Sequence, residues 1–223
     1  MVFVHHMWGS HKTTRRHQNL VNELGFNCVS FDLLFGSKYK KYPLHPLVRY
    51  LPFGVFQLWK MQLHQVLDQL EGTKILYSFS GPSLSSLWVA SERKDVMKVI
   101  CDGGPFEQIY SNTRNFFRHE VGLSQSWAQS MASFLGTAVW GLRPLKKLHK
   151  VLDHWPTHIP ILSIRGNQDD IVDIDSIRNL FNQHPDLPLT VAELPEGKHL
   201  DGLKNFPTPY RNFVQEFLLK SGN

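Results

Sequence analysis

Short apolar runs alternate with segments of helical periodicity along most of the chain, and this alternation constrains the fold more than any other feature. Six runs of strand length are mostly apolar and do not alternate strictly between apolar and polar residues, at residues 2–5, 28–33, 74–79, 97–101, 159–164 and 190–194. Segments with apolar residues at three- and four-residue spacing lie between or after them, at residues 13–24, 55–70, 83–91, 174–183 and 210–219. Mostly apolar strands joined by helices predict an α/β fold, with a mostly parallel sheet that helices cover on both faces.

Length and charge narrow the class of protein further. A chain of 223 residues with 42% hydrophobic and 19% charged residues is typical of one folded domain. Its 24 Lys and Arg against 19 Asp and Glu give a net charge of +5. This excess is smaller than the basic stripe of most nucleic-acid-binding proteins, so we expect no nucleic-acid partner.

Cysteine usage and the absence of long apolar segments indicate a cytoplasmic protein. Cys28 and Cys101 each lie in an apolar run, which favours two free thiols in a reducing compartment. The first residues lack the basic start and long apolar core of a signal peptide, and we expect no stable membrane insertion. No spaced Cys/His motif suggests a metal. The oligomeric state stays open.

Two stretches interrupt the alternation of strands and helices. Residues 37–54 contain Lys38, Lys40, Lys41 and several prolines, and they are predicted to form a long loop. Residues 105–155 are predicted to be helical with Gly and Pro breaks. This second stretch is rich in aromatic residues, namely Phe106, Phe116, Phe117, Trp127, Phe134 and Trp140. They line an apolar acyl pocket in one interpretation and pack the stretch against the core in the other.

The most informative segment places Ser80 between a strand and a helix. A serine at such a sharp turn is lifted clear of the sheet and lies at a helix N-terminus, where backbone N–H groups face developing negative charge. Strand and helix pass closely there, so small residues are needed two positions before and after it. Ser78 meets this need, and Pro82 suits the first turn of a helix. The alternative is an ordinary turn with a capping serine.

An acid and a histidine follow later strands in an order that suits nucleophilic catalysis. Asp169 lies beyond the strand at 159–164, and His199 lies in the loop after the last strand. A serine hydroxyl needs an adjacent base, and the base needs an acid that holds its tautomer. Asp102, which also follows a strand, is the alternative acid, and Asp170 is a second rival. Each residue has a plain structural alternative as a turn, cap or surface residue.

A loop after the first strand completes the pattern. Residues 3–10 run from an apolar strand into a turn near Gly9. An oxyanion needs two N–H donors, one beside the nucleophile and one from a neighbouring loop. The backbone N–H groups of Gly81 and Met7 are the candidates for this oxyanion hole.

At these positions the chain resembles the alpha/beta-hydrolase family. His5 and His6 stand where His-Gly is common, residues 32–37 resemble the Asp-x-x-Gly-x-Gly-x-Ser segment, and Ser78-x-Ser80-x-Pro82 stands where Gly-x-Ser-x-Gly is usual. Gly166-x-x-Asp169-x-x-Val172 and Gly197-Lys198-His199 are similar to the family's acid and histidine loops. The resemblance implies a single three-layer domain over residues 1–223, with residues 105–155 as a small helical cap and a start at the family's third strand.

The resemblance also implies a reaction. We expect a serine hydrolase that cleaves small-molecule carboxylic esters or thioesters through an acyl-enzyme on Ser80, with His199 and Asp169 as partners and no cofactor. Because residues 78 and 82 are not glycine, a non-catalytic binding or scaffold protein of the same fold is the alternative, with residues 38–41 as its contact surface. A nucleotide-binding protein is less favoured, since no Gly-rich phosphate loop is present.

Overall fold

The structure, a computed structural model, describes residues 1–34, 54–140 and 144–220. The strands are β1 (Val2–Val4), β2 (Val29–Phe31), β3 (Lys74–Phe79), β4 (Val96–Asp102), β5 (Ile161–Gly166) and β6 (Leu189–Leu194). The helices are α1 (Arg15–Glu23), α2 (Val55–Asp68), α3 (Ser83–Glu92), α4 (Ile109–His119), α5 (Ser126–Trp140), α6 (Pro144–Asp153), α7 (Ile174–Asn182), α8 (Gly202–Asn205) and α9 (Pro207–Leu219). Residues 35–53 lie outside the described residues. Of the loop predicted at residues 37–54, only Gly54 is therefore described.

The described strands form one sheet in the order β2-β1-β3-β4-β5-β6, and every neighbouring pair is parallel. Each predicted strand is present, with ends that shift by two residues at most. The predicted α/β fold with a parallel sheet is therefore confirmed. The strand order reverses between β1 and β3, which is where open α/β sheets open a crevice for ligands.

Successive residues of the central strands pack into two separate cores, one on each face of the sheet. Val4 and Leu76 belong to the core that α2, α3, α6 and α7 cover, while Phe3 and Tyr77 belong to the core under α1 and α9. Side chains of a strand point alternately to opposite faces, so a strand covered on both sides is mostly apolar along its whole length. This explains why the central strand segments do not alternate strictly between apolar and polar residues.

Three helices, α4, α5 and α6, connect β4 to β5, in the region that the sequence predicts to be helical. Helix α5 packs closely on α4, because a Cβ atom at Gly136 would lie 3.0 Å from the Thr113 side chain. Within the described ranges, no helix is long and apolar enough to cross a membrane. The two cysteines are free, with Cys101 buried and Cys28 half-buried.

Candidate active site

The parallel register brings the predicted site residues to one edge of the sheet. The strand residues paired there are Val4 with Ser78, Phe79 with Asp102, Asp102 with Ile164, and Gly166 with Leu194. The loops that carry Met7, Ser80, Asp169 and His199 all leave the sheet at this edge. Carboxyl ends of parallel strands are where open α/β sheets bind ligands.

Ser80 occupies a sharp turn between β3 and α3. Its φ of 56° lies in the left-handed region, which costs a non-glycine residue about 1 kcal/mol or more. The turn is fixed on both sides, because the Ser80 N–H donates to the Asp102 carbonyl oxygen at 2.8 Å and the Ser83 N–H donates to the Ser80 carbonyl oxygen at 3.0 Å. A strained serine at a strand-to-helix turn is the geometry of a nucleophile elbow.

The residues that flank this turn fit it without glycine. Ser78 is fully buried in β3, where its hydroxyl donates to the Ile100 carbonyl oxygen at 3.1 Å. Pro82 has a φ of −54°, which the proline ring favours. The closest approach comes from the loop after β4, because a Cβ atom at Gly104 would overlap the carbonyl oxygen of Ser80. The position that must be glycine for this turn to form is therefore Gly104, in the neighbouring loop.

His199 is paired with Asp169. The distance between His199 Nδ1 and Asp169 Oδ2 is 2.6 Å. The other carboxylate oxygen, Oδ1, accepts hydrogen bonds from the N–H groups of Ile171 and Val172, both at 2.8 Å. These contacts fix the buried carboxylate, so that it accepts the Nδ1 proton and leaves Nε2 of His199 as the basic nitrogen.

The two rival acids lie in different surroundings. Asp170 is exposed, and its nearest ionic partner is Lys198 at 3.8 Å. Asp102 is buried and accepts a hydrogen bond from the hydroxyl of Tyr210 on α9 at 2.5 Å. Burial raises the pKa of Asp102 to about 6. In the structure the Asp102 side chain therefore binds the last helix, α9.

Ser80 and His199 line the same cavity, which has a volume of about 410 Å³. Its remaining lining is His6, Met7, Trp8, Gly81, Phe106, Asn112, Thr113, Phe116, Glu120, Val121, Ile171, Val172 and Leu200. The lining combines apolar side chains with several polar ones, as is typical of small-molecule sites. Phe106 and Phe116 come from the aromatic-rich stretch between β4 and β5, so part of that stretch does face the cavity.

The two predicted oxyanion donors also border this cavity. Neither the Met7 nor the Gly81 backbone N–H donates to another group of the chain within the described residues. Both positions flank Ser80, since Gly81 follows it and Met7 lies beyond the neighbouring strand β1. The site thus has two N–H groups that a developing oxyanion can use.

His6 is a cavity residue that sequence reasoning did not single out. It follows β1 next to His5, and nothing in the sequence distinguishes the two. Burial and the neighbouring His199 and His5 lower the pKa of His6 to about 4, so its imidazole is neutral at pH 7. A neutral imidazole in the cavity can accept or donate a hydrogen bond without adding charge.

A set of hydrogen bonds holds the loop that carries Met7. His5 Nε2 accepts from the Leu33 N–H at 2.9 Å, so its Nδ1 donates to the His6 carbonyl oxygen at 2.7 Å. Asp32 accepts from the backbone N–H of His11 at 2.7 Å, which lowers the pKa of Asp32.

In the part of the chain that the structure describes, no group of three or more His, Cys, Asp or Glu residues is arranged to hold a metal ion.

Backbone strain is concentrated around the cavity. Among the described residues, the non-glycine residues with positive φ are Trp8 at 69°, Ser80 at 56° and Leu200 at 56°. All three line the cavity, and they come from three different loops. Strained conformations persist when the surrounding structure enforces them, and they cluster at functional sites.

Comparison of the sequence with models of known protein families finds no match, and neither does comparison with curated proteins. Comparison with solved structures finds many. An esterase of Pyrococcus furiosus has a TM-score of 0.70 at 16% identity, with 100% of this chain and 81% of that chain covered. A monoacylglycerol lipase of Paleococcus ferrophilus has a TM-score of 0.65 at 16% identity, with 97% and 92% covered.

The chain has the alpha/beta-hydrolase fold. A bromoperoxidase of Bacillus anthracis, with a TM-score of 0.59 at 19% identity and 98% and 90% of the two chains covered, shares it as well. The resemblance stated from the sequence motifs is confirmed for the fold. Because the alpha/beta-hydrolase fold carries an esterase, a lipase and a bromoperoxidase, the reaction must be argued from the site.

Proposed function

We propose that the protein is a serine hydrolase that cleaves carboxylic ester or thioester bonds. The observation that carries the proposal is the Asp169–His199 pair at 2.6 Å, which borders the same cavity as the strained Ser80. A nucleophile, a base and an acid that orients the base are the parts that acyl transfer to a serine needs.

The reaction follows from these positions. His199 Nε2 takes the proton of the Ser80 hydroxyl while the oxygen attacks the substrate carbonyl carbon. The N–H groups of Met7 and Gly81 stabilise the oxyanion, and protonated His199 returns the proton to the leaving alcohol or thiol. Water then attacks the acyl-enzyme with His199 as base, which releases the acid and restores Ser80. No cofactor is required.

The cavity and the comparisons support a small apolar acyl group as substrate. Aromatic and aliphatic walls next to Ser80, in a cavity of about 410 Å³, suit an uncharged acyl chain. Esterases and a lipase are among the solved structures with this fold, which favours ester chemistry. We assign residues 105–155 as the cap of the single domain, because Phe106 and α4 roof this cavity. The cytoplasmic location stays a prediction.

The main argument for a non-catalytic scaffold protein is weak. It was based on the non-glycine residues at positions 78 and 82, and both side chains fit the turn as described above. Its predicted contact surface, residues 38–41, lies outside the described residues. A non-catalytic protein would also have no need to keep Ser80 in a strained conformation.

Labelling with a fluorophosphonate probe tests the proposal directly. The probe should modify Ser80, and Ser80→Ala should abolish both labelling and hydrolysis of p-nitrophenyl butyrate, with a loss of roughly 10⁶ in kcat. Ser78→Ala is the matched control, because this serine lies two residues away and its hydroxyl is used inside the sheet. Hydrolysis that survives in Ser80→Ala, or labelling that disappears in Ser78→Ala alone, contradicts the assignment.

A further inference from the structure

The cavity contains polar side chains that the proposed reaction does not use. Two of them already have partners in the chain, because the Thr113 hydroxyl donates to a carbonyl oxygen of its own helix at 2.6 Å and the Asn112 side chain donates to Ser176 Oγ at 3.3 Å. A third, Glu120, is exposed to water. His6 differs from these three, because its ring is half-buried and neither ring nitrogen has a hydrogen-bond partner among the described residues. The cavity therefore holds one imidazole whose hydrogen-bonding capacity is left for a ligand.

The structure fixes the position of this ring. The His6 carbonyl oxygen accepts hydrogen bonds from His5 Nδ1 at 2.7 Å and from the Gly9 N–H at 3.0 Å. The ring itself lies against Gly9, because a Cβ atom there would be 2.9 Å from Cε1 and 3.0 Å from Nε2 of His6. The loop thus folds closely around His6 and presents its ring to the cavity.

His6 lies next to the groups that are proposed to act on the substrate. The peptide bond that follows His6 supplies the Met7 N–H, which is proposed to hold the substrate carbonyl oxygen. His6 also lies close enough to His199 for that residue to contribute to its lowered pKa of about 4. In the proposed reaction, His199 must reach the leaving oxygen in order to return the proton to it. A side chain next to both groups therefore borders the first atoms of the leaving alcohol.

The chemistry of the ring selects the kind of group that it can bind. A neutral imidazole has one nitrogen that donates a hydrogen bond and one that accepts. A hydroxyl group, which also donates and accepts, can pair with either nitrogen. A methyl or methylene group at the same place would leave a half-buried nitrogen without a partner, and a charged group would lose its hydration without gaining an opposite charge from the ring.

We propose that His6 binds a hydroxyl group on the alcohol portion of the substrate, so that the site prefers esters of diols or polyols to esters of simple alkyl alcohols. The inference rests on the proposed hydrolase function, because that function places the leaving oxygen at His199. In this role His6 transfers no proton and forms no covalent bond. It determines which alcohol is accepted, whereas the apolar walls of the cavity receive the acyl chain.

Two esters that differ in a single group test the proposal on the full chain. 2-Hydroxyethyl butyrate and propyl butyrate share the acyl chain and have the same number of heavy atoms, and the alcohol ends in a hydroxyl group in the first and a methyl group in the second. Titration of the released butyric acid gives kcat and KM for both. We expect kcat/KM of the wild type to be roughly tenfold higher for 2-hydroxyethyl butyrate, as one hydrogen bond to a neutral group produces.

Three variants show whether His6 is the cause of this preference. His6→Phe keeps a planar ring but removes both nitrogens, so the ratio of the two kcat/KM values should fall to about one, chiefly through a higher KM for 2-hydroxyethyl butyrate. Gly9→Ala retains His6 but displaces its ring, so it should lower the ratio as well. His158→Phe is the matched control, because His158 is exposed and does not line the cavity, and its ratio should equal that of the wild type.

The outcomes separate this inference from the hydrolase proposal. Circular dichroism checks that each variant is folded. A wild-type ratio near one, a ratio that His6→Phe leaves unchanged, or an equal loss in His158→Phe overturns the role of His6, while loss of hydrolysis of both esters in Ser80→Ala still supports the hydrolase. If Ser80→Ala hydrolyses both esters as the wild type does, the hydrolase assignment fails and the inference about His6 fails with it.

Discussion

Replacing Asp169 with asparagine tests the acid assignment, because the structure fixes how the new amide must lie. Asp169 Oδ1 accepts two backbone hydrogen bonds, from Ile171 and Val172 at 2.8 Å each. In Asp169→Asn the amide oxygen must keep these two donors, since an NH₂ group there would face two N–H groups. The NH₂ group is then directed at Nδ1 of His199.

This orientation forces the wrong tautomer of His199. Nδ1 must accept a hydrogen bond from the new NH₂ group, so the ring proton moves to Nε2, which then cannot take the proton of Ser80. We expect kcat to fall by roughly 10⁴, as in the serine-protease template, which equals about 5 kcal/mol of transition-state stabilisation. KM should change little, because the interaction is made chiefly in the transition state.

Steady-state hydrolysis of p-nitrophenyl butyrate measures this loss, and thermal unfolding checks that Asp169→Asn remains folded. Asp170→Asn is the matched control, because its exposed ion pair with Lys198 at 3.8 Å contributes about 1 kcal/mol at most. Asp102→Asn should cost far less activity than Asp169→Asn. If Asp102→Asn is the more damaging change, the acid role passes to Asp102, and the argument from the 2.6 Å contact of Asp169 with His199 is refuted.

Three further predictions concern pH, packing and substrate. Burial among aromatic rings lowers the pKa of His17 from 6.5 to about 3. Between these two pH values the unfolded chain therefore binds more protons than the folded chain. The free energy of unfolding then falls as the pH falls, by up to about 1.4 kcal/mol per pH unit. His17→Leu should flatten this slope in urea titrations from pH 7 to 4, and equal slopes contradict the assignment. Gly104→Ala should lower kcat and destabilise the fold by about 1–3 kcal/mol, because its Cβ atom meets the Ser80 backbone; an unchanged enzyme would show that the turn can yield. A panel of esters and acyl thioesters should show preference for uncharged acyl chains, and preference for peptides or phosphoesters opposes the substrate proposal.

The fold was predictable because the central strands β1, β3, β4 and β5 are largely buried. A strand such as Lys74–Phe79 is then apolar at successive positions, and helices with a regular apolar stripe cover it. Strand ends were less predictable. Backbone pairing with neighbours decides where a strand ends, as at Gly166, which pairs with Leu194 although the apolar run stops at Ile164.

The site could be predicted in part, because residue order places Ser80, Asp169 and His199 after strands of one parallel sheet. Order alone leaves the acid open, since Asp102 also ends a strand at the same edge. The directions of the two side chains distinguish Asp102 from Asp169. The Asp102 carboxylate binds Tyr210 of α9, whereas two backbone N–H groups hold the Asp169 carboxylate so that it faces His199. Left-handed conformations at Trp8, Ser80 and Leu200 have no sequence signal, because the surrounding loops enforce them.

The aromatic residues between β4 and β5 show where sequence periodicity reaches its limit. Their helical spacing predicts faces, but it does not say whether a face points to the sheet, to a cavity or to water. In the structure Phe116 lines the cavity, Phe117 packs against α5, and Trp127 and Phe134 are exposed. For α5 the choice is made by Gly136, whose missing side chain lets the small face approach α4 and so turns the large apolar residues outward. One apolar pattern therefore lines the cavity on α4 and faces water on α5.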